Sequence, residues 1–158
     1  MTSVVGLHGS TAALRIRPCM RDEREAIVAL WRAAGLTRPW NDPQRDLDRK
    51  LADSPWGMLV GELEGSVVAT VMVGYDGHRG SVNYLAVEPA LRGQGIGTAL
   101  MDHAEALLLD RGCPKINLSV RADNVEAGRF YAKRGYRLEG ADHAVTFARR
   151  LIADDPTS

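Results

Sequence analysis

Three glycines at alternate positions, Gly93, Gly95 and Gly97, follow a run of β-type residues and lead into a run with helical spacing. A helix N-terminus exposes backbone N–H groups that lack partners, and it carries a partial positive charge. Glycines at that point leave out the Cβ atoms that would hold an anion away from those donors. Such a loop suits a phosphate or pyrophosphate. The plainer alternative is a tight turn that only packs helix on strand. The dinucleotide spacing GxGxxG fails, because Thr98 stands where the third glycine belongs and Asn117, not an acid, lies about 20 residues on. The triphosphate loop, GxxxxGK followed by Ser or Thr, is absent as well.

Several elements must position that loop. Ser81–Val87 reads as the strand before it, and a helix from about Gly97 to Arg111 follows, with Ile96, Ala99, Leu100, Ala104, Leu107 and Leu108 as its apolar stripe. Upstream, Leu14–Pro18 alternates as a first strand, and Asp22–Ala34 places Ala26, Ile27, Leu30, Trp31 and Ala34 at helical spacing. Asp42 and Pro43 cap and open a second helix through roughly Leu51. Trp56–Glu62 and Val67–Tyr75 form a hairpin over Glu64-Gly65-Ser66, and a turn at Asp76–Gly80 leads to Ser81. Downstream, Lys115–Arg121 reads as a strand, Asp123-Asn124 caps a helix that buries Ala127, Phe130 and Tyr131, and Tyr136–Leu138 and Ala144–Leu151 are two last strands. The fold class is α/β: a mixed central sheet of about seven strands with helices on both faces. One domain is expected over 12–152, with flexible tails at 1–11 and 153–158.

Composition narrows the function. Formal net charge is +0 over 158 residues, which gives no broad electrostatic footprint for nucleic acid. No apolar run approaches the roughly 20 residues of a membrane span, and Met1–Thr11 lacks the pattern of a signal peptide, so the cytoplasm is the expected compartment. Cys19 and Cys113 have no metal-binding spacing and read as reduced, buried thiols. No metal is expected.

Arg92-Gly93-Gln94-Gly95-Ile96-Gly97 resembles the phosphate-loop motif of the GNAT N-acetyltransferase superfamily, Arg or Gln, two variable residues, Gly, one variable residue, then Gly or Ala. Tyr84-Leu85-Ala86-Val87-Glu88-Pro89 is similar to the strand that precedes it there. Asn124 through Tyr136, with Asn124, Ala127, Phe130, Tyr131, Lys133, Gly135 and Tyr136 at the family spacing, resembles a second element. Arg38–Pro43 together with Gly74–Gly80 looks like the bacterial YpeA-type subgroup. The resemblance covers roughly Leu14 to Leu151. It implies acetyl-CoA as cosubstrate and transfer of its acetyl group to an amine by direct attack in a ternary complex. It also implies roles. Leu85, Ala86 and Val87 would pair through their backbones with the pantetheine arm, and N–H groups from Gly93, Gln94, Gly95, Ile96, Gly97 and Thr98 would hold the pyrophosphate. Asn124 would bond the cofactor arm, Tyr131 would protonate the departing thiolate, and Arg92, Arg129 and Lys133 could meet the 3′-phosphate or simply face solvent.

Transfer requires a neutral amine, a donor for the developing oxyanion and an acid for the thiolate. A backbone N–H at Ala86 or Val87 could polarise the carbonyl. The two positions at which family members carry a basic glutamate hold Ser81 and Ser119 here. Glu88 is then the base candidate, with Glu62, Tyr84, Asp76 and His78 as alternatives. A lysine amine is roughly 0.1% neutral at pH 7.4 and an α-amino group roughly a quarter, so a weak base tilts the expectation toward low-pKa amines. Trp40 could line an acceptor pocket or pin its loop to the core, and Tyr84 could line the same acceptor site. A second class of function stays open: a non-catalytic acyl-CoA-binding or sensing module. Edge strands near the C-terminus could pair in a homodimer.

Overall fold

A computed structural model describes residues 1–7, 12–139 and 147–152 of the chain. Among the described residues six strands form one sheet in chain order: β1 (Ser3–Gly6), β2 (Ala13–Pro18), β3 (Met58–Leu63), β4 (Ser66–Tyr75), β5 (Gly80–Val87) and β6 (Ile116–Leu118). Neighbours are antiparallel except β5 and β6, which run parallel and are joined by the helix α3 (Ile96–Asp110). Helices α1 (Arg24–Ala33) and α2 (Pro43–Asp53) lie between β2 and β3, and α4 (Val125–Lys133) follows β6. The described residues fall into two compact units, one through Leu118 and one that begins at Ser119.

Side-chain alternation along the strands builds two layers of core on the first unit. Met58 and Val60 of β3 and Ala86 of β5 face α1 and α2, where they pack with Ile27, Val28, Leu30, Trp31 and Leu47. Leu14 and Ala69 face the opposite side and meet Leu100 of α3 around Gly61. Each large aliphatic chain buried this way is worth roughly 1.5–3 kcal/mol. The expected cap of α2 forms: the Asp42 carboxylate accepts from the N–H groups of Gln44 and Arg45, with Pro43 in the first turn. Asn124 likewise caps α4, accepting from the Ala127 N–H.

The mixed α/β sheet with helices on both faces is as expected, but the strand inventory differs at both ends. Ser3–Gly6, expected as part of a flexible tail, pairs with Ala13–Ile16 as an edge strand. Its alternation was too short to register as a strand by itself. Tyr136–Leu138 and residues 147–151 are not strands; Ala144–Thr146 lie outside the described residues. The expected strand Lys115–Arg121 is reduced to Ile116–Leu118. Both cysteines are free, Cys113 buried and Cys19 half-buried. Among the described residues no cluster of His, Cys, Asp or Glu could hold a metal ion, and no helix is long and apolar enough to cross a membrane.

Candidate active site

The centre of the candidate site is an irregularity in β5. Thr70 of β4 lies opposite Ala86, whereas Met72 lies opposite Asn83, so β5 spends one residue more than β4 over this stretch. Tyr84 sits in that bulge with φ +49°, a conformation uncommon for a residue with a Cβ. Pairing of β5 with β6 covers only Gly80, Ser81 and Val82. Beyond Val82 the β6 edge of β5, carrying Leu85, Ala86 and Val87, has no strand partner among the described residues.

Three elements hold Tyr84. Its ring stacks on Trp31 of α1, with centroids 3.8 Å apart and planes 15° from parallel. Its hydroxyl donates to Oδ2 of Asp46 on α2 at 2.7 Å. Its carbonyl accepts from the Thr70 hydroxyl at 2.9 Å, and that hydroxyl oxygen accepts in turn from the Trp31 indole N–H at 2.9 Å. Trp31 and Thr70 are fully buried. Tyr84 is therefore packed into the core cluster as well as placed beside the open edge. Thr70 and Asp46 were not singled out from sequence. A lone polar residue inside the apolar run Val67–Val73 was the available signal for Thr70.

From Val87 the chain passes through a short turn, Pro89–Leu91, into the glycine loop. Gly93 and Gly95 adopt φ +78° and +83°, and a Cβ built on either would meet nothing within 4 Å. No protein atom crowds these positions, and their backbone conformation by itself favours glycine. Gly95 is the N-cap of α3 and no side chain caps that helix, which begins at Ile96, one residue earlier than expected. Arg92, Gly93, Gln94, Gly95 and Thr98 are exposed, whereas the Ile96 side chain is buried and leaves only its backbone to a ligand.

The base candidates separate sharply. Glu88 lies half-buried at the end of β5, next to the open edge and the loop. Asp76 and His78 occupy the turn at the other end of β5, roughly 25 Å away along the strand. The Asp76 carboxylate accepts from the N–H groups of His78 and Arg79, which holds its pKa down, and His78 is exposed. Glu62 is taken up by Arg17, which donates to it at 2.7 and 3.0 Å while also binding Glu23 at 2.6 Å. Trp40 is 63% exposed in its loop, so it does not pin that loop to the core. Ser81 is half-buried, its hydroxyl close beside Gly74.

Within the second unit, Tyr131 of α4 packs edge-on against Phe130 and Tyr136, with centroids 5.1 and 5.6 Å away. Burial raises its phenol pKa, so it stays protonated at neutral pH. Arg129 and Lys133 are exposed on the same helix.

A helix behind a glycine loop, beside a strand whose pairing with β6 stops at Val82, makes this an α/β protein with a site of the kind that suits an extended, anion-bearing ligand. The chain belongs to the Acetyltransferase (GNAT) family, whose profile matches residues 24–136, and it is an enzyme of acetyl transfer. An acetyltransferase of Pectobacterium atrosepticum is 48% identical over 141 residues, covering 89% of this chain and 98% of that one. An acetyltransferase of Sodalis glossinidius is 45% identical over the same span and coverage. Among solved structures, the PaiA N-acetyltransferase of Thermoplasma acidophilum, in complex with coenzyme A, matches with a TM-score of 0.66 and 17% identity, covering 82% of this chain and 93% of that one.

Proposed function

We propose that the protein is an acetyl-CoA-dependent N-acetyltransferase in which a neutral amine attacks the thioester directly within a ternary complex. The observation that carries this reading is the conjunction at β5: pairing with β6 stops at Val82, and the strand then runs into the glycine loop at the start of α3. On this reading the backbones of Leu85, Ala86 and Val87 receive the pantetheine arm as an added strand. The N–H groups of Gly93 through Thr98 receive the pyrophosphate. An N–H of Ala86 or Val87 polarises the thioester carbonyl, Tyr131 gives its proton to the thiolate, and Asn124 bonds the arm. Arg92, exposed on this loop, is proposed for a further phosphate contact.

Glu88 is the proposed base, acting on the amine through water. Its half-buried place at the end of β5 favours it over Glu62, which Arg17 occupies, and over the distant Asp76 and His78. Trp40, exposed between α1 and α2, is proposed to meet the acceptor. Tyr84 would line that site by its ring edge, since its hydroxyl is bonded to Asp46.

Thermal melts with acetyl-CoA, CoA, NADH or ATP test the cofactor. Ligand at 100 times its dissociation constant adds about 2.7 kcal/mol of stability. A rise with acetyl-CoA and CoA alone is expected; a rise with neither would remove the reading. Tyr131→Phe should lower kcat by about 10²-fold or more with KM for acetyl-CoA little changed, as loss of a proton donor predicts. Acetyl-CoA binding without turnover of any amine would favour a non-catalytic binding module instead.

A further inference from the structure

A bulge that places a tyrosine at φ near +50° costs energy, roughly 1–2 kcal/mol for the left-handed backbone alone, so something must hold it in place. The extra residue also has a directional consequence. Along a strand, successive residues point their N–H and C=O groups to opposite edges. One inserted residue shifts that phase, so the bulge at Tyr84 sets which of Leu85, Ala86 and Val87 present donors and acceptors to the open edge. A bulge that relaxed would turn those groups toward β4 and offer the alternate set to a ligand.

We infer that Thr70 is the positioning residue that fixes this phase, acting on the cofactor through the Tyr84 backbone. Its hydroxyl joins the Tyr84 backbone to Trp31: it donates to the Tyr84 carbonyl at 2.9 Å and accepts from the Trp31 indole N–H at 2.9 Å. The donation uses its single proton, and the acceptance fixes the rotamer that aims it. Thr70 is fully buried, so bulk water does not compete for either bond. The Trp31 ring also stacks on the Tyr84 ring, so the backbone of Tyr84, through Thr70, and its side chain are both held by one tryptophan. Thr70 touches no reacting atom in this scheme. Its effect is on the register of the strand that receives the pantetheine arm, and this inference rests on the acetyl-CoA reading given above.

The test is a comparison of Thr70→Val, Thr70→Ser and Trp31→Phe with the wild type. Thr70→Val keeps the shape and removes both bonds; Thr70→Ser keeps the hydroxyl; Trp31→Phe keeps a stacking ring and removes the N–H. Coenzyme A dissociation constants and KM for acetyl-CoA are measured on folded protein, at a temperature well below each variant's melting point. The expected result is a rise of about tenfold or more in both constants for Thr70→Val, a smaller rise for Trp31→Phe, and near wild-type values for Thr70→Ser. KM for the amine should change least. Wild-type coenzyme A affinity in folded Thr70→Val, with only its melting point lowered, would overturn the positioning role while leaving the acetyl-CoA reading intact. Failure of the wild type itself to bind coenzyme A would overturn both. If Thr70→Val does not fold, unchanged coenzyme A affinity in Trp31→Phe overturns the inference by itself.

Discussion

Arg17 shows how one buried side chain decides what its neighbours can do. Its guanidinium lies 9% exposed between Glu23 and Glu62 and also donates to the Pro18 carbonyl. The one guanidinium serves both part-buried carboxylates, so removing the cation is costly. Arg17→Met should therefore destabilise by roughly 3–5 kcal/mol, read as a lowered urea midpoint. The Arg17 hydrogen bond holds the Glu23 carboxyl below its usual range. The unfolded chain then binds a proton first in acid, so this contribution is full above the ordinary carboxyl pKa and fades as pH falls from roughly 5. The variant should lose that acid slope. Cys19 is a simpler case: burial pushes its thiol pKa up to about 11, and it should react slowly with alkylating reagents at pH 7.

At the scale of elements, two glycines separate conformational from steric need. Gly95→Ala places a Cβ at φ +83° in open space, so its cost should be the backbone term alone, roughly 1–2 kcal/mol. Gly57→Ala would put a Cβ 2.0 Å from the Val73 carbonyl oxygen and 3.0 Å from the Lys50 ammonium, which itself bonds that same carbonyl. The start of β3 and the end of β4 would have to part. Gly57→Ala should therefore be the more destabilising change in melting experiments, and Gly95→Ala the one that weakens coenzyme A binding. Helices with strong period and clear caps were legible in the sequence: Asp42-Pro43 opens α2, and α3 follows its glycine loop. Short strands were not. Ser3–Gly6 and Ile116–Leu118 are defined by the partners they find, and a run of three or four residues carries too little alternation to declare itself.

For the whole molecule, β1 is tied to the far layer by a bond between Ser3 Oγ and His103 Nδ1 at 2.8 Å. His103 is buried on α3, and burial lowers its pKa. A histidine kept neutral when folded loses ground in acid, because the unfolded chain takes up the proton first. Stability should thus decline as pH falls below about 6.5, and His103→Asn should flatten that decline between pH 7 and 5, measured by chemical unfolding.

The sequence by itself determined the α/β class, the glycine loop and the family spacing around Tyr131, because these depend on residues close together in the chain. A φ above zero at Gly93 and Gly95 and a helix start after them need only local residue types. The tertiary structure decided the rest. Glu62 looked like a base candidate until Arg17, 45 residues away, closed over it. Tyr84 looked like a strand residue until β4, α1 and α2 together held it in a bulge. Thr70 drew no notice because a hydroxyl in an apolar strand acquires meaning only through the carbonyl and indole that long-range folding brings to it.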